Sequence, residues 1–248
     1  MSASHFVWYE LVTHDIDAAT SFYGTVLGWT ATDFPGGADR YAVVSAQGKG
    51  VGGVMMLPPG MTEPFWMGYV GTPGIAVAVA KWKHAGGTVH REFEIPTVGR
   101  IALVSDPQGA GFAMIQGASE HPSEAFKPGT RGHGGWHELH TSNWQAAWDF
   151  YAGQFGWTKD TAVEMAMGTY QVFAADGVQI GGMMNDPQVP RPAWLYYFCV
   201  EDIDAAAERV TGHRGQVLMG PHEVPGGDWI VVAKDPQGAA FALVGSRR

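Results

Sequence analysis

Two carboxylic acids stand in apolar, aromatic runs, where a carboxyl group could move protons. Glu10 lies two residues after Trp8, and Glu138 lies two residues after Trp136 and two before His140. A carboxylate among apolar side chains is expected to have a raised pKa and can act as a general acid or base. We therefore predict Glu138, His140 and Glu10 as candidate catalytic residues.

A purely structural explanation of the same residues stays open. Buried carboxylates usually pair with a backbone amide or a tyrosine, and aromatic side chains belong to a core more often than to a ligand site. His137 and His140 are three apart on a strand candidate, so they face opposite sides and could chelate together only across a bulge. Tyr41 and Tyr170 come at the start of apolar runs, and we interpret them as surface aromatics.

The chain contains an internal repeat that covers nearly its whole length. The run Trp8-Tyr9-Glu10-Leu11 recurs as Trp136-His137-Glu138-Leu139, at a shift of 128 residues (136 minus 8). Further matches, at this shift or one residue more, are Phe22-Tyr23 with Phe150-Tyr151, Gly28-Trp29 with Gly156-Trp157, Trp66 with Trp194, and the Asp-Pro-Gln-Gly turns at 106–109 and 235–238. Such a pattern predicts two copies of one unit. We predict a first domain over residues 1–118, a linker over 119–133 and a second domain over 134–248.

Each repeat is expected to hold two βαβββ modules. Phe6 to Thr13 is a strand candidate, Asp15 can cap a helix, and apolar residues at helical spacing follow until Gly28. Three further apolar runs separated by turns predict three strands, and a weaker copy of the order begins near Phe65. The predicted fold class is therefore α+β, with four βαβββ modules. Two modules can pair so that their bare sheet faces enclose a cup.

Paired βαβββ modules resemble the vicinal oxygen chelate superfamily, which includes glyoxalases, bleomycin-resistance proteins and extradiol dioxygenases. The segment from Asp15 to Trp29 resembles that superfamily's signature D-x-D-x-A-x-x-F-Y-x-x-x-L-G-W, and the two Asp-Pro-Gln-Gly turns resemble its D-P-x-G. The Trp-x-Glu-Leu openings are similar to those of a two-domain, glyoxalase-like subgroup. The resemblance implies two tandem glyoxalase-like domains, each closed around a cup.

Metal-binding members of that superfamily carry His or Gln on the first strand of each paired module and Glu on the last. The corresponding positions of this chain are Trp8, Met67, Trp136, Leu195, Ala113 and Ala242, with residues 54–55 and 183–184 on the equivalent strands. Trp and Ala supply no donor to a divalent ion, and Met binds mainly soft ions. We therefore expect no metal ligands at these positions and predict no cofactor, with a divalent metal on unrecognised ligands as the alternative.

If those positions face the cup, strand alternation places further side chains beside them. The predicted ligand-binding residues are Trp8, Met67, Tyr69, Trp136, Leu195 and Tyr197. Glu10, Glu138 and His140 would face the same interiors, so each cup would hold an acid, a tyrosine and a tryptophan in an apolar wall. A buried tyrosine there could donate a hydrogen bond to a carbonyl or oxyanion.

Composition limits the classes of partner. The formal net charge is −9, which disfavours nucleic acid. There is one cysteine, Cys199, and therefore no intramolecular disulfide. No leader pattern or membrane-length apolar stretch is present, so we expect a cytoplasmic protein without membrane contact, as a monomer or homodimer.

Three functions remain open from the sequence. The first is binding of a small apolar or aromatic metabolite in the cup, as the resemblance to drug-binding relatives implies, without the family metal. The second is a lyase, isomerase or hydrolase in which Glu138, His140 and Tyr197 transfer protons. The third is a dioxygenase-type enzyme with an unrecognised divalent metal.

Overall fold

The computed structural model describes residues 4–35, 39–119 and 121–248. Residues 1–3 and 36–38 belong to the predicted first domain and residue 120 to the predicted linker, and all of them lie outside the described residues. In the part of the chain that is described, no helix is long and apolar enough to cross a membrane.

Among the described residues, each repeat contributes eight strands and two helices. The first contains β1 (Phe6–Thr13), α1 (Ile16–Leu27), β2 (Thr30–Asp33), β3 (Tyr41–Ala46), β4 (Lys49–Met56), β5 (Phe65–Gly71), α2 (Ile75–His84), β6 (Thr88–Ile95), β7 (Gly99–Ser105) and β8 (Gly111–Gly117). The second contains β9 (Gly134–Thr141), α3 (Trp144–Phe155), β10 (Thr158–Met165), β11 (Gly168–Ala175), β12 (Val178–Asn185), β13 (Ala193–Val200), α4 (Ile203–Gly212), β14 (Gln216–Glu223), β15 (Trp229–Lys234) and β16 (Ala240–Gly245).

The strands form two eight-stranded sheets of the same topology. One has the order β2-β3-β4-β1-β5-β8-β7-β6, and the other has the order β10-β11-β12-β9-β13-β16-β15-β14. The first strand of each module pairs in parallel with its last, as β9 does with β12, whereas the other pairs within a module are antiparallel. The predicted α+β class with four βαβββ modules is confirmed.

The chain divides into two compact units, and each draws segments from both repeats. Unit 1 consists of Met1–Val7, Gly68–Pro122 and His137–Trp194, and unit 2 of Trp8–Met67, Ser123–Trp136 and Leu195–Arg248. The predicted domain boundaries at 118 and 134 follow the sequence repeat and stay a prediction.

The helix ends predicted at Asp15 and Gly28 are confirmed, and the second repeat has equivalent ends at Asn143 and Gly156. The Asp15 side chain accepts a hydrogen bond from the Ala18 N–H at the start of α1, and Asn143 caps α3 in the same way. Gly28 and Gly156 end these helices in the left-handed conformation, with φ of 78° and 72°. Such ends favour glycine because it has no Cβ to clash with the carbonyl.

The aspartate of each Asp-Pro-Gln-Gly turn is buried and accepts hydrogen bonds. In unit 1, Trp194 Nε1 donates to the Tyr151 hydroxyl (3.2 Å), which donates to Asp106 Oδ2 (3.0 Å). Unit 2 repeats this chain with Trp66, Tyr23 and Asp235. Burial raises the pKa of Asp106, although backbone N–H groups and Tyr151 oppose the shift. These chains tie a turn to a helix within each unit.

The glutamine of the same turn holds the start of a helix. The Gln108 side chain donates to the Asn143 carbonyl and accepts from the Asn143 N–H, both at 2.8 Å. Gln237 makes the same two bonds with the backbone of Asp15, at 2.9 and 2.8 Å. The motif therefore does more than form a turn, because it also satisfies backbone groups at a helix N-terminus.

Candidate functional site

Strand β9 presents Glu138 and His140 on one face, as strand alternation requires. His140 Nε2 lies 2.8 Å from Glu138 Oε1. Because β9 is a central strand of its sheet, both side chains are largely buried, with exposed fractions of 11% for Glu138 and 16% for His140. An acid and a base are therefore in direct contact in unit 1.

The second ring nitrogen of His140 meets another carboxylate. His140 Nδ1 lies 2.8 Å from Asp186 Oδ2, just after the end of β12, and the Asp186 side chain is 10% exposed. The other Asp186 oxygen accepts from the Gln188 N–H at 2.9 Å. The Asp186 N–H donates to the Thr141 carbonyl at 2.9 Å, so the residue is fixed from three directions.

A tyrosine completes this group at its other end. The Tyr170 hydroxyl on β11 donates to Glu138 Oε2 at 2.9 Å. A side chain on Gly182 would collide with the Tyr170 ring, so this glycine makes room for the contact. We refer to Tyr170, Glu138, His140 and Asp186 as the polar row.

The contacts of the polar row define the charge of His140. A carboxylate only accepts hydrogen bonds, so both ring nitrogens of His140 donate when both partners are ionised, which requires the imidazolium form. Burial lowers the pKa of His140, but hydrogen bonds and charge from Glu138 and Asp186 outweigh it and raise the pKa overall. With both carboxylates ionised the row carries a net charge of about −1.

The first repeat holds a simpler version of this arrangement in unit 2. Trp8 Nε1 donates to the Tyr41 hydroxyl at 3.0 Å, and Tyr41 is hydrogen-bonded to Glu10. Burial, followed by the charge of Glu10, raises the pKa of Tyr41 well above its usual range. The interpretation of Tyr41 and Tyr170 as surface aromatics was wrong, because both are half-buried and bonded to the candidate acids.

His137 is separate from the polar row. It is fully buried, stacks on Phe6 with ring centroids 3.8 Å apart, and its Nδ1 lies 2.5 Å from the Ile180 carbonyl oxygen. Burial lowers the pKa of His137 to about 3, so the ring is neutral and donates to the carbonyl. Its surroundings are those of a core residue.

An apolar cluster in unit 2 contains several of the predicted ligand-binding residues. It consists of Leu195, Tyr197 and Ala242, with Trp136, Ile230, Val232 and Val244 packed against it. Tyr197 is 2% exposed, and its side chain is one of the three buried members of this cluster. On β5, Met67 is half-buried and Tyr69 is buried.

The residues predicted to stand at the family's metal positions do not fit a divalent ion. Three of them, Leu195, Ala242 and Trp136, pack together in the apolar cluster. Their side chains offer no acceptor nitrogen, oxygen or thiolate. Within residues 4–35, 39–119 and 121–248, no three His, Cys, Asp or Glu side chains converge in a way that could hold a metal ion.

An open groove of about 510 Å³ lies elsewhere in unit 1, between α2 and α3. Its lining includes Lys81, His84, Asp149, Phe150 and Gln154 and none of the predicted site residues. We place the candidate site at the polar row instead, because the groove holds no buried acid in contact with a base.

Asp186 was not among the predicted site residues, and Tyr170 was predicted to lie at the surface. Asp186 is 46 residues from His140 along the chain, and only the register of β12 against β9 brings them together. A signal was present, since the repeat places Val12 at the position of His140 and Leu57 at that of Asp186. Both positions change from apolar to ionisable in the second copy.

Comparison with known families identifies the fold's relatives. Residues 135–243 match the family described as the Glyoxalase/Bleomycin resistance protein/Dioxygenase superfamily, and residues 5–46 match the Bleomycin resistance protein-like N-terminal family. Over 245 residues the chain is 34% identical to CFP32 of Mycobacterium tuberculosis, whose name assigns it provisionally to the glyoxylases. The match covers 96% of this chain and 93% of CFP32. The chain belongs to the glyoxalase/bleomycin resistance superfamily.

Two further proteins are similar to this chain, one over half of its length and one over all of it. The anthracycline biosynthesis protein DnrV of Streptomyces peucetius is 33% identical over 133 residues, 48% of this chain and 47% of DnrV. The Mn(II)-bound glyoxalase of Novosphingobium aromaticivorans superimposes with a TM-score of 0.70 at 16% identity, covering 100% of this chain and 83% of that one. The structural match supports the vicinal oxygen chelate fold.

Proposed function

We propose that this protein binds a small apolar or aromatic metabolite and does so without the divalent metal of its superfamily. The observation that carries the proposal is the apolar cluster, which contains Trp136, Leu195 and Ala242, three residues at positions that the sequence predicts for metal ligands. Apolar and aromatic walls with a few polar groups are typical of small-molecule sites. Ligand-binding roles for Trp8, Met67 and Tyr69 belong to the same proposal.

A polar pair in the same unit as the apolar cluster would orient such a ligand. Glu10 with Tyr41 offers a carboxylate beside a hydroxyl, within mostly apolar strands. DnrV is named for anthracycline biosynthesis, so anthracyclines are the first ligand class to test.

The test is an equilibrium titration of the intact chain with an anthracycline and a panel of smaller aromatic metabolites, followed by calorimetry. We expect saturable binding that Trp136→Ala weakens about tenfold or more, as for a central aromatic contact. Trp229→Ala is the matched control, because the Trp229 ring packs against Arg247, with the ring centroid 4.5 Å from the guanidinium carbon. This variant should change the affinity by no more than about twofold. No saturable binding, or equal effects of both variants, would contradict the proposal.

A second candidate is proton-transfer catalysis of the lyase or isomerase type, and the polar row favours it. An imidazolium N–H and a carboxylate 2.8 Å apart form an acid and base pair. Glu138→Gln distinguishes the two functions: a binder keeps its affinity, whereas an acid–base enzyme loses about 10²-fold or more in turnover. Glu164→Gln is the matched control, because Glu164 is exposed on β10 and its carboxylate accepts a hydrogen bond from the Thr169 hydroxyl, outside the polar row.

We propose a monomer or homodimer in the cytoplasm with a small-molecule ligand and with neither nucleic acid nor membrane as partner. The net charge of −9 supports the exclusion of nucleic acid.

A further inference from the structure

We propose that Asp186 is a positioning residue, which holds the Nδ1–H of His140 and thereby makes Nε2 the nitrogen that exchanges a proton. This inference rests on the second candidate function, proton transfer at the polar row. It assigns a role to a residue 46 positions away from His140 in the chain.

The carboxylate of Asp186 is held more firmly than an exposed aspartate. Its Oδ1 accepts from the Gln188 N–H and its Oδ2 faces His140 Nδ1. Pro187 follows directly and favours an extended backbone at Asp186. An anchored acceptor of this kind fixes both the orientation of an imidazole ring and its tautomer.

The first repeat shows that the fold does not require this pair. Val12 and Leu57 stand at the positions of His140 and Asp186, and the Leu57 N–H makes the same bond to Thr13 that Asp186 makes to Thr141. The acid and tyrosine contact is nevertheless kept, as Glu10 with Tyr41. His140 and Asp186 are therefore a paired addition to the second copy, and a structural role in the sheet does not explain them.

Under this proposal, the anchored Asp186 carboxylate sets the direction of proton movement. The Nδ1–H remains bonded to Asp186, so deprotonation breaks the Nε2–H bond and leaves its electron pair on Nε2. The proton passes to Glu138 Oε1, at 2.8 Å, or to a ligand oxygen placed there. The charged groups that face His140 are Asp186 on one side and Glu138 on the other, with Tyr170 behind Glu138.

The test is nitrogen-15 NMR of the His140 ring across a pH titration of the full chain, which needs no ligand. In the unaltered protein we expect the neutral ring to keep its proton on Nδ1. Asp186→Leu, which copies Leu57 of the first repeat, should move the titration midpoint to lower pH and shift the neutral ring to the Nε2–H form. Asp186→Asn keeps an acceptor without the charge, so it should lower the midpoint as well.

Asp176→Asn is the matched control, because Asp176 pairs with the half-buried His5 at 3.1 Å and asparagine tolerates its φ of 49°. This variant should leave the His140 signals unchanged. An unchanged midpoint and tautomer in Asp186→Leu would overturn the inference. If that variant does not fold, an unchanged midpoint in Asp186→Asn overturns it equally. An absence of turnover would contradict the proton-transfer function but would leave the NMR evidence on Asp186 unchanged. The proposed function and the positioning role of Asp186 can therefore fail separately.

Discussion

At the scale of residues, two histidines three positions apart on β9 have opposite environments. Asp186 and Glu138 raise the pKa of His140, whereas burial lowers that of His137 to about 3. The stability contributed by His140 is therefore present at low pH and is lost as pH rises through its folded-state pKa. His137 acts in the other direction, because the unfolded chain takes up a proton at His137 that the folded chain excludes.

His137 should make the protein sensitive to mild acid. Buried, neutral His137 lowers the free energy of unfolding once the pH falls below the ordinary imidazole pKa of 6.5. This loss continues until the pH reaches the folded-state pKa of about 3. The unfolding free energy of the unaltered protein should fall from pH 7 to pH 5. In His137→Gln we expect this fall to be smaller by about 2 kcal/mol, as measured by urea unfolding at each pH. His222→Gln, at an exposed position on β14, is the control. Equal pH dependence in all three proteins would refute this account of His137.

At the scale of elements, paired glycines on β4 and β12 determine where the site tyrosines lie. A Cβ on Gly181 would collide with the His137 backbone, and one on Gly182 with the Tyr170 ring. The first glycine therefore permits close approach of β12 to β9, and the second admits the tyrosine that reaches Glu138.

Gly182→Ala should displace Tyr170 from Glu138. We expect a destabilisation of about 1–3 kcal/mol from the steric conflict, together with a changed near-ultraviolet circular dichroism spectrum. Gly153→Ala on α3 is the matched control, since its new Cβ would meet no atom within 4 Å and should be neutral or stabilising. A Gly182→Ala protein as stable as the control, with an unchanged spectrum, would contradict this role.

The elements were more predictable from sequence than the site. Local signals such as Asp15, Asn143 and Gly28 determine helix ends, because caps depend on residues a few positions apart. The contact of Glu138 with His140 also follows from strand alternation alone. Asp186 and Tyr170 depend on the register of three strands, which no short pattern encodes.

At the scale of the whole molecule, each compact unit depends on both repeats. Trp82 of the first repeat packs edge-to-face on Phe150 of the second at 4.5 Å in unit 1, and Tyr23 reaches Asp235 in unit 2. We expect fragments 1–118 and 134–248 to lack cooperative unfolding when separate and to recover it when mixed, as measured by circular dichroism during urea titration. A separate fragment that unfolds cooperatively as a monomer would contradict this interdependence.

We propose that this member of the superfamily works without the family metal. Metal content, measured by mass spectrometry on protein purified without an affinity tag or chelator, tests it most directly. The side chains of Trp136, Leu195 and Ala242 predict far less than one equivalent of Mn, Fe, Ni or Zn per chain, with ligand binding unchanged after dialysis against a chelator. One equivalent of a divalent metal, with binding or turnover lost on its removal, would contradict the claim.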